Sequence, residues 1–166
     1  MHVIAAKAVC FLEAMTEAFR AYQQQVVINA RVMSDAFQEA GMRIVSGGTD
    51  NHLLLVDLSH SGLTGKDAQE ILEQAAISLN RNVIPYDPRT PQIASGIRIG
   101  TPAVTTRGMK EGEMVQIVSW ITDILTNHAD ESMVGEIARG VKSLCRRFPI
   151  HRNHVPLTVY DASTLG

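Results

Sequence analysis

The stretch Ser95-Gly96-Ile97-Arg98-Ile99-Gly100-Thr101-Pro102 constrains the fold of this chain more than any other. It sets one arginine between two glycines on a short apolar segment that reads as a buried strand. A guanidinium stays charged under all ordinary conditions, so an arginine in such a place requires a partner. Two partners satisfy the chemistry. One is the carboxylate of a small ligand, gripped by two parallel hydrogen bonds. The other is a structural Asp or Glu in an internal ion pair. Spacing alone leaves both open.

The rest of the chain supplies the elements that such a strand must pack with. Residues 2–14 read as an apolar helix. Residues 16–40 read as a longer amphipathic one, with Phe19, Tyr22, Val26, Ala30, Met33 and Phe37 at steps of three and four, closed by Gly41. Met42 to Ser46 suggests a strand, Gly47 to Asn51 a turn, and His52 to Leu58 a buried strand antiparallel to the first. Thr64-Gly65-Lys66-Asp67 fits a capping box that opens a helix to about Ala75, with Ala68, Ile71, Leu72 and Ala75 inward. Ile77 to Asn80 reads as a short strand, and Ile97 to Gly100 as another. Between them, Pro85, Pro88 and Pro91 leave the loop from Arg81 to Ala94 little regular structure. Two closing helices carry Met114, Ile117, Val118, Ile121 and Leu125, then Met133, Ile137, Val141, Leu144 and Phe148, each set on one face. Helix–helix followed by β-β-α-β-β-α-α predicts an α+β layer, with helices on a mostly antiparallel sheet. The expected organisation is a helical segment 1–40, an α+β domain 41–148 and a tail 149–166.

Composition narrows the function classes. The 166 residues are 45% hydrophobic and 19% charged, with a net charge of -2, an ordinary globular mix. No basic stripe is present, so nucleic acid is not an expected partner. No run of about 18 apolar residues occurs, so no membrane span is expected. Cys10 and Cys145 fall in helical patterns without metal-ligand spacing; they read as buried small side chains of a reducing compartment, and a cytoplasmic location is expected. His151 and His154 stand three apart near a proline, which does not make a metal site. Arg146, Arg147 and Arg152 suit a helix C-terminus. Lys7 reads as a side chain snorkelling along a helix face. Met1 opens directly into a helical pattern, as a fragment would.

The loop Asn80-Arg81-Asn82-Val83-Ile84-Pro85-Tyr86-Asp87-Pro88-Arg89-Thr90-Pro91 precedes Arg98 closely. Carboxamides read the donor and acceptor edges of heterocycles. Prolines keep such a loop preorganised, which lowers the ordering cost of binding.

Several long motifs share one resemblance: MHVIAAKAV at 1–9, YQQQVVINA at 22–30, VSGGTDNHLLLVDL at 45–58, LTGKDA at 63–68, NRNVIPYDPRTP at 80–91 and SGIRIGTPAVTTRGMKEGEM at 95–114. In these the chain resembles the C-terminal part of serine hydroxymethyltransferases. The resemblance implies the small C-terminal domain of an aminotransferase-like, pyridoxal-phosphate-dependent homo-oligomer. Such an enzyme interconverts serine and glycine and transfers a one-carbon unit to tetrahydrofolate. It assigns Arg98 to the substrate α-carboxylate, and Asn82, Thr90, Pro91 and Gln92 to the folate. Arg81 stands where the family usually has lysine, Tyr86 where it has asparagine, Gln92 where it has an aromatic, and Ala94 where it has threonine. The family's cofactor lysine lies in a T-H-K motif that this chain lacks, and Lys7, Lys66, Lys110 and Lys142 match other positions. No catalytic residue and no covalently bound cofactor are therefore expected on this chain alone. The alternative is a non-catalytic domain that associates with itself or with a complementing N-terminal piece.

Overall fold

The computed structural model describes residues 1–150; the two tail histidines, Arg152 and most of the expected tail lie outside them. Helix α1 spans His2–Ala14 and buries none of its residues. Helix α2, Glu17–Glu39, starts where the Thr16 hydroxyl accepts the Phe19 amide at 3.2 Å, satisfying one of the first-turn donors a helix leaves open. Only its second half is deeply packed: Val26, Asn29, Ala30, Met33, Ser34 and Phe37 are buried, while Phe19 stays partly exposed. Gly41 ends it with φ +79°, a left-handed conformation that favours glycine.

The sheet is four-stranded and antiparallel in the order β1-β2-β4-β3: β1 Arg43–Ile44, β2 Leu53–Asp57, β3 Asn80–Asn82 and β4 Gly96–Gly100. Helix α3, Gly65–Gln74, begins in the expected capping box, with Thr64 Oγ1 and Asp67 each bonding the other's amide. Helix α5 is Glu111–Thr126 and α6 is Glu131–Arg147. One core joins Ile44, Leu54, Val56, Ile97 and Ile99 of the sheet to Met33 and Phe37 of α2, Leu72 of α3, Met114 and Ile121 of α5, and Ile137 and Leu144 of α6. The α+β architecture is as the sequence implied.

Details differ. Strand β1 is two residues long, because Val45–Gly47 turn into a 3₁₀ turn with Ser46 at φ +69°. The expected strand 77–80 lies instead at Asn80–Asn82, where pairing with β4 is available: Asn80 faces Arg98 and Asn82 faces Gly96. A short helix, α4 (Pro102–Thr106), follows β4 and was not apparent in the sequence; Pro102 opens it, a position where a missing N–H costs nothing. It anchors α2 through a buried polar cluster. Asn29 Nδ2–H donates to Thr105 Oγ1 (2.8 Å) and to the Met109 carbonyl (3.1 Å), and the Thr101 hydroxyl donates to the Val26 carbonyl (2.8 Å). Cys10, expected inside, is exposed on α1, and Cys145 is half-buried.

Candidate carboxylate-binding site

Strand pleat fixes where Arg98 points. Side chains alternate between sheet faces, so Ile97 and Ile99 enter the core and Arg98 faces the other way. Arg98 is exposed, which corrects the expectation of a buried arginine. The internal ion pair is absent as well: the Arg98 guanidinium makes no hydrogen bond or ion pair among the described residues. The register puts Leu55, Arg98 and Asn80 in one row across this open face. The next row holds Arg43, Asp57, Gly96 and Asn82. In that row the exposed Arg43 pairs with the buried carboxylate of Asp57. Burial pushes the Asp57 carboxyl upward, but hydrogen bonds from Ser59 and the Arg43 cation hold it below its ordinary range.

Arg98 borders two shallow depressions. One, of about 420 Å³, is lined by His52, Ser78 and Asn80 among others. The second, of about 510 Å³ at the β3 edge, is lined by Gln69, Asn80, Arg81, Pro91 and Arg98. Of the residues that the resemblance assigns to substrate or folate, Arg98 and Pro91 therefore meet in one depression. Asn82 shares the Arg98 face two positions along β3, and its Nδ2–H donates to the Val83 carbonyl at 2.7 Å. Thr90 and Gln92 are exposed on the loop; the Thr90 carbonyl accepts the amides of Ile93 (3.0 Å) and Ala94 (2.8 Å).

Asp87, not among the residues expected at the site, organises this loop. Its carboxylate accepts the Ser95 hydroxyl at 2.6 Å and the amides of Ser95 (2.8 Å), Arg89 (2.9 Å) and Ile84 (3.1 Å). Arg89 Nη1–H donates to Ser95 Oγ at 3.1 Å. Burial pushes Asp87 upward, yet these donors outweigh it and lower its pKa from 3.8 to about 2. The signal was present: an aspartate accepting the amide two residues on is an Asx turn, and Asp87-Pro88 is a favoured setting for one. The knot ties the loop to Ser95, directly before β4. Glycine makes the junction possible. A Cβ on Gly96 would lie 2.8 Å from the Val56 carbonyl oxygen and from Ile84 Cγ2, and a Cβ on Gly65 would meet the Gly96 carbonyl oxygen.

The sequence model of the serine hydroxymethyltransferase family matches residues 1–121. The chain belongs to the serine hydroxymethyltransferase family. It is 54% identical over 152 residues to serine hydroxymethyltransferase 1 of Pseudomonas putida and 55% identical over 152 residues to serine hydroxymethyltransferase 2 of Pseudomonas syringae pv. syringae. It is also 54% identical over 151 residues to the serine hydroxymethyltransferase of Marinobacter nauticus. These matches cover 91–92% of this chain but 36% of each relative. The chain thus corresponds to little more than a third of the length of a serine hydroxymethyltransferase.

An aldehyde cofactor bound as a Schiff base needs a lysine at the site. Lys7, Lys66, Lys110 and Lys142 are all exposed, and none lines a depression beside Arg98. Among the described residues no group of three His, Cys, Asp or Glu side chains could hold a metal ion, and no helix is long and apolar enough to cross a membrane.

Proposed function

We propose that this chain is the portion of a serine hydroxymethyltransferase that grips the amino-acid carboxylate and shapes the folate site. The complete enzyme would interconvert serine and glycine with transfer of a one-carbon unit to tetrahydrofolate, and pyridoxal phosphate would be held by residues outside this chain. The observation that carries the reading is Arg98: an unpaired guanidinium on an open sheet face, between Asn80 and Leu55 and beside Pro91. A planar fork that no side chain engages is ready for a carboxylate. Asn82 and the 90–92 segment would border the folate, held against β4 by the Asp87 knot. Gln92, in place of an aromatic, would present an amide rather than an apolar edge.

The decisive test is a chimera in which this chain replaces the matching segment of the Pseudomonas putida relative. The chimera should convert serine to glycine, and Arg98→Lys should lose activity on the order of 100-fold, because a point charge cannot reproduce the fork's alignment. Near-normal turnover in that variant would sink the assignment. The chain alone should form no internal aldimine. A borohydride-trappable absorbance after addition of pyridoxal phosphate would overturn that part.

A second reading rests on α1. Val3, Ile4, Val9, Phe11, Leu12 and Met15 are all more than half exposed, an apolar surface of the kind that marks an interaction site. On this reading the isolated chain is a non-catalytic module that associates with a second copy, or with a complementing N-terminal piece, through α1. Sedimentation velocity of the chain and of a Phe11→Asp/Leu12→Asp variant tests it; a concentration-independent monomer in both removes it.

A further inference from the structure

A second cation stands beside Arg98, at the β3 edge. Arg81 lies opposite Ile97, on the helix-facing side of β3, but β3 is the edge strand, so a long side chain there reaches the rim from the other face. The depression of about 510 Å³ is walled by both guanidinium-bearing residues, the carboxamides of Gln69 and Asn80, and Pro91, with no carboxylate. Neither arginine is in an ion pair among the described residues. Gln69 Oε1 accepts the Arg81 amide at 3.1 Å and Arg81 Nη1–H at 3.3 Å. That fixes which end of the carboxamide faces Arg81 and leaves the Gln69 NH₂ free to donate elsewhere. The space therefore offers donors and positive charge and no compensating anion. One carboxylate neutralises one of the two cations and leaves the other facing the same polar space.

We infer that the β3-edge depression is a second anion subsite, so that the site takes a dicarboxylate, one carboxylate on Arg98 and the other on Arg81 and Gln69. The inference rests on the reading of Arg98 as a carboxylate clamp and adds a ligand class to it. Arginine rather than lysine at position 81 matters here, because its planar fork grips a carboxylate in two places. Both arginines are solvent-accessible, so the second contact adds selectivity of a few-fold rather than orders of magnitude.

The test uses the full 166-residue chain at low ionic strength, with succinate and its monomethyl ester as probes and the arginine Nε–H resonances as the readout. Succinate should bind roughly five-fold tighter than the monoester, about two-fold of which is statistical. It should shift both Arg81 and Arg98, and the monoester chiefly Arg98. Arg81→Gln should reduce the preference to the statistical factor while leaving monoester binding intact, and Arg81→Lys should restore part of it. Arg98→Gln should weaken both probes. Equal binding of the two probes after the statistical correction, or a preference that survives Arg81→Gln, overturns the second subsite. Monoester binding unchanged in Arg98→Gln overturns the clamp itself, a separate failure. Thermal melts of each variant establish that the fold is kept.

Discussion

The two faces of the sheet follow opposite rules although they are built from the same four strands. On the helix-facing side, Ile44, Leu54, Val56, Ile97 and Ile99 are almost fully buried against four helices. Each such side chain contributes about 1.5–3 kcal/mol by leaving water. On the open side, one residue away, Arg98 has no partner, and the order comes from Asp87 and Arg43–Asp57, polar contacts at the ends of strands. Stability thus resides on one face, and the carboxylate clamp proposed at Arg98 on the other. The pleat separates them, so changes on one face should be felt little on the other.

The largest break in that comparison is expected at Leu54→Ala, which opens a cavity in the helix-facing layer and should cost about 2–5 kcal/mol in urea unfolding. Next is Gly96→Ala at the join between the faces. The new methyl meets the Val56 carbonyl and Ile84, and about 1–3 kcal/mol should be lost, with weaker carboxylate binding because β4 carries Arg98. Acid should act on the loop that Asp87 ties to β4. Asp87 has a folded pKa of about 2 against an ordinary 3.8, so its stabilising effect is present above pH 4 and is lost as pH falls from about 4 toward 2. Hydrogen exchange across that window should show the Ser95 amide losing protection before the amides of β2; simultaneous loss would contradict the division. Tyr86 is fully exposed with φ +58°, a conformation that costs most side chains about 1–2 kcal/mol and asparagine less. Tyr86→Asn should therefore raise stability by a few tenths of a kcal/mol up to about 1 kcal/mol. Smallest of all, Arg98→Gln should leave the melting curve within about 0.5 kcal/mol of the parent while weakening carboxylate binding. A large destabilisation in that variant would mean that Arg98 is a structural residue after all.

Much of the fold was legible because it depends on periods short enough to read locally. The inward residues of α2, α5 and α6 recur at helical spacing, and Thr64 and Asp67 announce the start of α3. The misread parts depend on distant partners. Asn80–Asn82 is polar throughout and has no alternation to reveal a strand; it is one because β4 offers a free edge. Val45 continues an apolar run, yet the chain leaves β1 at that point because Ser46 turns left-handed. The role of Asp87 is only half local: its Asx turn can be read from neighbours, but its partner Ser95 lies eight residues on. The apolar residues around Arg98 suggest burial, while the alternation Gly-Ile-Arg-Ile-Gly implies that it points away from the isoleucines.

By itself the sequence determined the five longer helices, the antiparallel character of the sheet, the family and the identity of Arg98 as its odd residue, since periodicity, capping and long motifs are properties of neighbouring residues. Only the tertiary structure decided that Arg98 is exposed and unpaired, that Pro91 and Arg81 share its depression, and that Asp87 holds the loop to β4. Those facts arise from strand register and from which edge of the sheet stays open, and both are set by packing between segments far apart in the chain.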